Sequence, residues 1–386
     1  VTPIRGAMPR GRRATRLVTM FVAWRDLRFA RGRFALMGTV IVLITLLVGL
    51  LSGLTAGLAR ENISAITGLP ADRLAFAAPP SGREVSFGSS TVPEAAWRTW
   101  AQQPGVTAAE PVGVTTLNAT AAATGGRTAA VSVFGTRPGA GIAPDGGRLG
   151  PGRVVVSHSA AEELGVAAGD RVRLGTAGRE ASVTAVAGDA SYAHTPVVWA
   201  DLEDWQALAR TGAAPTGPQA TVVALRGGEG VDYAAGDTAA GTESRTVEGA
   251  LEAIASYQAE NGSLQLMRGF LFVISALVTG AFFTVWTIQR SGDVAVLKAL
   301  GASTPYLLKD ALGQAVVMLA AGTLVGTGLA AGVGALVSGG SVPFVLEPLT
   351  VLGPAAVMIA LGAVGAALSI RRITAVDPLT ALGSAR

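Results

Sequence analysis

The sequence predicts a membrane protein with four transmembrane α-helices in a 1+3 arrangement and a mixed α/β extracytoplasmic domain between the first and second helices. Three observations predict it. Four runs carry no charge: residues 35–58, 269–289, 311–340 and 348–370, of 24, 21, 30 and 23 positions. Each meets the length of about 20 residues that a helix rising about 1.5 Å per residue needs to cross a bilayer core. Charged residues make up only 15% of the chain, against about 25% in soluble domains. The charge that remains is divided: residues 60–268 hold 15 basic and 21 acidic residues, net −6, and the rest hold 15 basic and 5 acidic, net +10.

That division sets the sidedness. Residues 1–34 contain nine Arg and one acid, Asp26. Residues 290–310 contain Arg290, Lys298 and Lys309, and the tail contains Arg371, Arg372 and Arg386. Short basic flanks stay on the cytoplasmic side. Both termini and the 290–310 loop are therefore expected in the cytoplasm of a multi-pass plasma-membrane protein, and residues 60–265 outside. The basic surface faces anionic inner-leaflet lipids, so membrane lipids are an expected partner and nucleic acid is not.

The elements follow in order. Residues 1–19 are Arg- and Gly-rich without an apolar period, and read as a disordered basic N-terminus; Met20 offers a second start. Residues 20–34 read as a cytoplasmic amphipathic elbow helix. Trp24, Leu27, Phe29 and Phe34 suit the interface, and Arg25, Arg28, Arg31 and Arg33 suit lipid phosphates. Residues 35–59 are the first span. A signal peptide cleaved near Gly57-x-Ala59 is the alternative. It is disfavoured because the run exceeds the usual apolar signal core of about 7–15 residues.

The domain at 60–265 has no cysteine to staple it, and at about 200 residues it is long enough to bury its own core. "VPEAAWRTWAQQPGV" (92–106) predicts a helix with Trp97 and Trp100 on one face. Residues 152–174 read strand, helix, turn, strand, with Ser159 and Glu162 spaced as a capping box. Strands are predicted at 179–188, at the start of 196–209 and at 219–227. Asp201 caps the helix that follows the second of these, and residues 246–263 read as helix. Gly- and Pro-rich loops lie at 137–152 and 211–218. The second span is 266–289. A cytoplasmic loop at 290–310 follows, then the third span at 311–338, a short outer loop at 339–348, the fourth span at 349–370 and a cytoplasmic tail at 371–386. Gly322, Gly326, Gly328 and Gly332 in the third span have the small-residue spacing that lets helices approach closely.

The sequence lacks catalytic constellations. Of the two histidines, His158 lies beside Ser157, with Asp189 as an available acid. Ser157 and Ser159 stand at a strand-to-helix junction, where hydroxyls cap helices, and no Gly-x-Ser-x-Gly elbow is present. No metal-ligand spacing and no G-x-x-x-x-G-K-[ST] loop occurs. The chain is expected to be non-enzymatic, with no catalytic or metal residue and no cofactor of its own. No charge falls in the core of any span, which argues against a proton-coupled carrier.

The loop "QRSGDVAVLKALGASTPYLLKD" (289–310) is the informative stretch. Val294, Leu297 and Leu300 recur at helical spacing, with Asp293 and Lys298 off that stripe. Gly301 ends the helix, Ser303 caps the next, and Pro305 sits in its first turn, where a missing N–H costs nothing. A short amphipathic helix joined to a span suits docking in a groove of a cytoplasmic partner.

"GDVAVLKALGAS" resembles the cytoplasmic motif of FtsX/MacB-type ABC permeases. The basic elbow at 20–34 also resembles that family, as does "VVVSHSAAEELGVAAGDRVRLGTAGREASVTAVAG". So does the ending "RRITAVDPLTALG", through Asp377, Pro378, Ala381 and Leu382. The resemblance covers residues 20–383, and the departures are the extra 19 residues at the start and a short outer domain. It implies a homodimeric permease bound to two copies of a separate ABC ATPase, with ATP and Mg in that partner. ATP-driven closure is then transmitted through the 290–310 helix to the outer domain. Asp293, Val294, Leu297, Lys298, Leu300 and Gly301 are the expected ATPase-docking residues. The cargo expected from the family is a hydrophobic or amphipathic compound: haem, drug, peptide or lipid. The compact domain and high-GC composition look most like actinobacterial exporters, including their haem-export branch. For haem as substrate, Tyr257, Met267 and Glu61 are the candidate ligands. The alternative is a non-transporting mechanotransmission subunit that controls an extracytoplasmic protein such as a cell-wall hydrolase.

Overall fold

The computed structural model describes residues 31–123, 125–209, 217–289, 292, 296, 298, 300–337 and 342–374. The expected disordered segment 1–19, most of the elbow at 20–34 and the tail beyond Thr374 lie outside the described residues. Two compact units emerge: Gly57–Leu264, and the described residues on either side of it. The helices are α1 (Arg31–Thr67), α2 (Glu94–Gln102), α3 (His158–Leu164), α4 (Leu202–Ala209), α5 (Tyr233–Ala240), α6 (Val247–Ala250), α7 (Ala255–Gln289), α8 (Thr304–Val337) and α9 (Pro348–Thr374).

In the helical unit, α1, α7 and α8 are long and apolar enough to cross a membrane. The apolar stretch inside α9, Leu352–Leu368, is shorter. Met37, Ile41, Phe283, Ala315, Leu319 and Ala366 form one buried cluster contributed by all four helices. Elsewhere the unit is inverted relative to a water-soluble core. Leu277 is 68% exposed and Leu336 87% exposed, as side chains facing lipid should be. Two of the four glycines singled out in the third span pack tightly. A Cβ on Gly322 would lie 2.7 Å from Ile41 Cγ2, and one on Gly326 2.7 Å from the Val42 carbonyl oxygen, so the partner helix is α1. Gly328 and Gly332 meet nothing within 4 Å. The close approach therefore uses half of the stripe. Phe344, from the segment before α9, fills a cradle over Gly53 and Gly334.

The Gly57–Leu264 unit is built on strands β1 (Arg73–Ala77), β2 (Val92–Pro93), β3 (Val106–Ala121), β4 (Thr128–Thr136), β5 (Arg153–Val156), β6 (Arg171–Leu174), β7 (Arg179–Val186), β8 (Ser191–Tyr192), β9 (Thr195–Asp201), β10 (Gln219–Ala220), β11 (Val222–Gly227) and β12 (Thr242–Thr246). β3 organises the unit. Its first half pairs with β11, in the order β12–β1–β11–β3, and its second half pairs with β4. From there the order β4–β9–β5–β7–β6 returns to β3 through Ala119–Ala121, so the six strands close on themselves. Each of these six strands is thereby paired on both sides, and β8 hangs off β9 as a short arm. Two of its pairings, β4 with β9 and β5 with β7, are parallel.

Each lobe has its own core. Val131, Val133, Val156, Leu164, Val172, Val183 and Val198 fill the closed ring. Trp205 of α4 lies across Gly113 and Gly135, a cross-strand pair where an added Cβ would fall within 2.3 Å of the Trp205 side chain. On the open sheet, Trp97 and Trp100 of α2 pack against Val223 and Leu225. The Trp100 indole donates to Thr242 Oγ1 at 3.0 Å. A third cluster gathers Ile66 from the end of α1, Phe76, Phe87, Phe134, Tyr192, Trp199 and Ile254. Within it Tyr192 lies edge-on to both Phe87 and Phe134, and burial pushes its phenol pKa upward.

Three local expectations change. The α3 cap is Ser157, whose hydroxyl accepts from Ala160 N at 3.2 Å, and Ser159 is already helical. β5 ends at Val156, so the chain turns two residues before the predicted box and that box does not form. The strand at 219–227 divides at Thr221, because β10 pairs with β2 and β11 pairs with β1 and β3. The helix at 246–263 is interrupted at Ile254, where the backbone is extended at φ −87°, ψ 110°. The Asp201 expectation stands: its Oδ1 accepts from Glu203 N at 2.9 Å.

Candidate functional site

The 290–310 loop is described in part. Asp293, Val294 and Leu297 lie outside the described residues. Lys298 is helical and half-buried. Leu300, 79% exposed, donates its N–H to the Val296 carbonyl at 3.0 Å, closing a last helical turn. Gly301 follows at φ +94°, a conformation that L side chains avoid. Val296 is itself 56% exposed. α8 then begins at Thr304, with the Ser303 carbonyl accepting from Tyr306 and Leu307 N–H groups. An exposed apolar end on a helix that Gly301 stops is thus present at the expected docking element.

The three residues considered for haem fall in different settings. Met267 is 48% exposed on α7, on the apolar face shared with Leu266, Phe270 and Ile274. Tyr257 sits in the first turn of α7 and packs, partly buried, on the aromatic cluster around Tyr192. Glu61 belongs to a polar node absent from the sequence reading. There His194 Nδ1 lies 3.7 Å from Glu61 Oε2, and Nε2 lies 2.8 Å from Glu260 Oε2. Asn62, buried to 1%, donates to Glu260 Oε2 at 3.3 Å and accepts from Ser256 Oγ at 2.7 Å.

The node forms because a tight turn delivers His194. Ala193 and His194 both have positive φ, 49° and 61°, the signature of a two-residue hairpin turn. This turn joins β8 to β9. Its backbone N–H groups donate to the Asn62 and Glu61 carbonyls at 3.0 and 3.3 Å. Ser64 Oγ both donates to the Ser191 carbonyl and accepts from Ser191 N. The hairpin therefore grips the last turns of α1, while Asn62 and His194 reach the first turns of α7. No ready sequence signal marks this, since Ala-His is an uncommon turn pair. Close by, Glu163 has its pKa pushed up by burial first, then by the Glu162 and Glu61 carboxylates.

In the helical unit, Arg268 is the charge at the start of the uncharged run 269–289. Its guanidinium donates to Thr55 Oγ1 at 2.8 Å, and that hydroxyl donates to the Ser52 carbonyl at 3.1 Å. Elsewhere, Ser157 is fully buried and its hydroxyl is engaged at the α3 N-terminus. His158 Nδ1 lies 3.0 Å from the Gly188 carbonyl and 3.2 Å from exposed Asp189. Among the described residues no group of three His, Cys, Asp or Glu is arranged to hold a metal.

An apolar helical unit and a two-lobed α/β unit inserted after its first helix define a membrane permease with an extracytoplasmic domain. The chain belongs to the FtsX/MacB-type permease family. Residues 34–240 match the MacB-like periplasmic core domain, and residues 266–378 match the FtsX-like permease C-terminal domain. It is 41% identical over 133 residues to the putative hemin transport system permease protein HrtB of Staphylococcus haemolyticus, covering 34% of this chain and 37% of that protein. It is 30% identical over 128 residues to an uncharacterized ABC transporter permease of Mycobacterium tuberculosis, covering 31% of this chain and 34% of that protein. These matches span well under half the length of either relative. The extracellular domain of the noncanonic ABC-type transporter YknZ from Gram-positive bacteria aligns with 45% of this chain and 98% of its own, at 13% identity and a TM-score of 0.34.

Proposed function

We propose that this chain is the transmembrane subunit of an ABC exporter, worked by a separate ATPase and expelling an amphipathic compound of the haem type. The family membership carries the reading, and the similarity to proteins named as hemin transport permeases supports the cargo class. In this proposal the chain works as a homodimer with four spans arranged 1+3 and both termini inside. Two ATPase copies grip Asp293, Val294, Leu297, Lys298, Leu300 and Gly301. Closure of the ATPase pair pulls on α7 and α8. α1 and α7 are continuous helices of 37 and 35 residues. Each exceeds the about 20 residues a bilayer core needs, so each is suited to carry motion beyond the membrane. No step requires chemistry from this chain, and ATP hydrolysis stays with the partner.

Two measurements test this. Leu297→Asp puts a charge on the docking stripe, and should abolish co-purification of the ATPase while membrane insertion is kept. Undiminished capture by that variant overturns the docking assignment. For the cargo, hemin added to the purified protein should shift its Soret band, and Met267→Ala or Tyr257→Phe should weaken the shift. A spectrum identical to free hemin removes haem from the reading.

A further inference from the structure

The seam between α1 and α8 is marked at four levels, one helical turn apart. Gly322 faces Ile41, Gly326 faces Thr45 and the Val42 carbonyl, and Gly49 faces Ala330, where an added Cβ would lie 2.8 Å from the Ala330 Cβ. At these three levels the helices touch directly. The fourth level, Gly53 with Gly334, differs. The three atoms nearest to an added Cβ on either glycine all belong to the Phe344 ring, as close as 2.2 Å at Gly53 and 2.3 Å at Gly334. A phenyl ring is therefore wedged between the two helices at this end of the seam, and a Cβ on either glycine would fill its place.

Phe344 reaches the seam from residues 342–347, which have no helix or strand and lead into α9. The Val345 N–H donates to the Gly53 carbonyl at 3.2 Å and ties the segment to α1. On either side of the ring Val342 is 43% exposed and Leu346 38% exposed, so the segment lies across the seam and only the ring enters it. Shape is what holds the ring. In water a phenyl group is driven into any apolar cradle. Beside a bilayer the alternative is acyl chain, as apolar as the cradle itself. Leaving the cradle then forfeits close packing contacts but exposes nothing to water.

We propose that residues 342–347 are a strap and Phe344 its pin. Seated, the ring holds this end of α1 and α8 apart. Withdrawn into lipid, it lets the two glycines close on each other, as small residues on facing membrane helices do. Gly53 stands one turn before Gly57, where the α/β unit begins, so the pin acts on α1 just before it leaves the helical unit. The device rests on packing inside the helical unit alone and holds whatever drives the chain.

The test uses the full chain in phosphatidylcholine nanodiscs. With 4-fluorophenylalanine at position 344, the otherwise wild-type chain should give two fluorine resonances. One of them should broaden when the lipid carries a doxyl nitroxide on its acyl chain. Gly334→Ala fills the cradle and should leave only the broadened resonance. The chain has no cysteine, so paired nitroxides read the spacing of the helices, with labelled chain diluted in unlabelled. Leu54→Cys with Leu336→Cys spans the pinned end, and Leu43→Cys with Leu324→Cys spans the glycine-packed stretch. Phe344→Ala should shorten the first distance by about 2 Å, the range over which packed helices vary their separation. The second distance should stay as in wild type, which shows the seam intact. A single resonance that doxyl lipid leaves sharp overturns withdrawal, as does a broadened share that Gly334→Ala does not raise. An unchanged first distance in Phe344→Ala overturns the wedge, and so does an equal change in both distances, which would mark general loosening.

Discussion

At the scale of single residues, Asn62 matters out of proportion to its size. It is buried to 1%, and its side chain links Ser256 and Glu260 while its carbonyl receives the Ala193 N–H. Replacing it with Ala strands the Ser256 hydroxyl and removes a donor from the Glu260 carboxylate. Leaving such groups unpaired costs about 1–3 kcal/mol. In the full chain, Asn62→Ala should lower the melting temperature by about 2–4 °C per kcal/mol lost. A melting curve superimposable on wild type would show that water replaces the side chain without cost. The sequence names Glu61, Tyr257 and Met267 from chemistry alone. It says nothing of Asn62 or His194, because their partners lie 132 and 198 residues apart in the chain.

At the scale of elements, the long helices are legible and the long strands are not. An uncharged run longer than 20 residues has few alternatives to a membrane helix. β3, by contrast, reads "VTAAEPVGVTTLNATA", and its burial does not alternate cleanly. One half lies in an open sheet and the other in a closed ring, so its buried face is set twice. β3, β4, β12 and α5 consequently escape a period-based reading. The α1–α8 contact is the converse case, where small-residue spacing foretells close packing but not its partner. Gly326→Leu would drive a side chain into the Val42 carbonyl, which a Cβ alone would already approach to 2.7 Å. Overpacking of this kind costs about 1–3 kcal/mol, so Gly326→Leu should reduce thermal stability in detergent. Gly332→Ala, which meets open space, should not. Equal effects of the two would argue against this packing.

At the scale of the whole molecule, sidedness decides whether the proposed mechanism is coherent. The chain contains no cysteine, so single reporters are clean. Ser81→Cys lies on an exposed turn of the extracytoplasmic unit and Leu300→Cys on the exposed end of the 290–310 loop. In intact cells an impermeant maleimide should label the first and spare the second until the membrane is opened. Labelling of Leu300→Cys from outside would put the docking element out of an ATPase's reach and end the exporter proposal.

The sequence alone determines that this chain is built for a bilayer, and that a helix-rich part and a β-rich part alternate along it. Those properties are local: charge, length and apolar composition act over 20 residues at a time. Only the tertiary structure decides that six strands close into a ring, that a hairpin turn carries His194 onto the ends of two long helices, and that Arg268 meets Thr55 of α1. Each depends on residues far apart in the chain, whose meeting is governed by how buried surfaces fit rather than by any neighbouring residue.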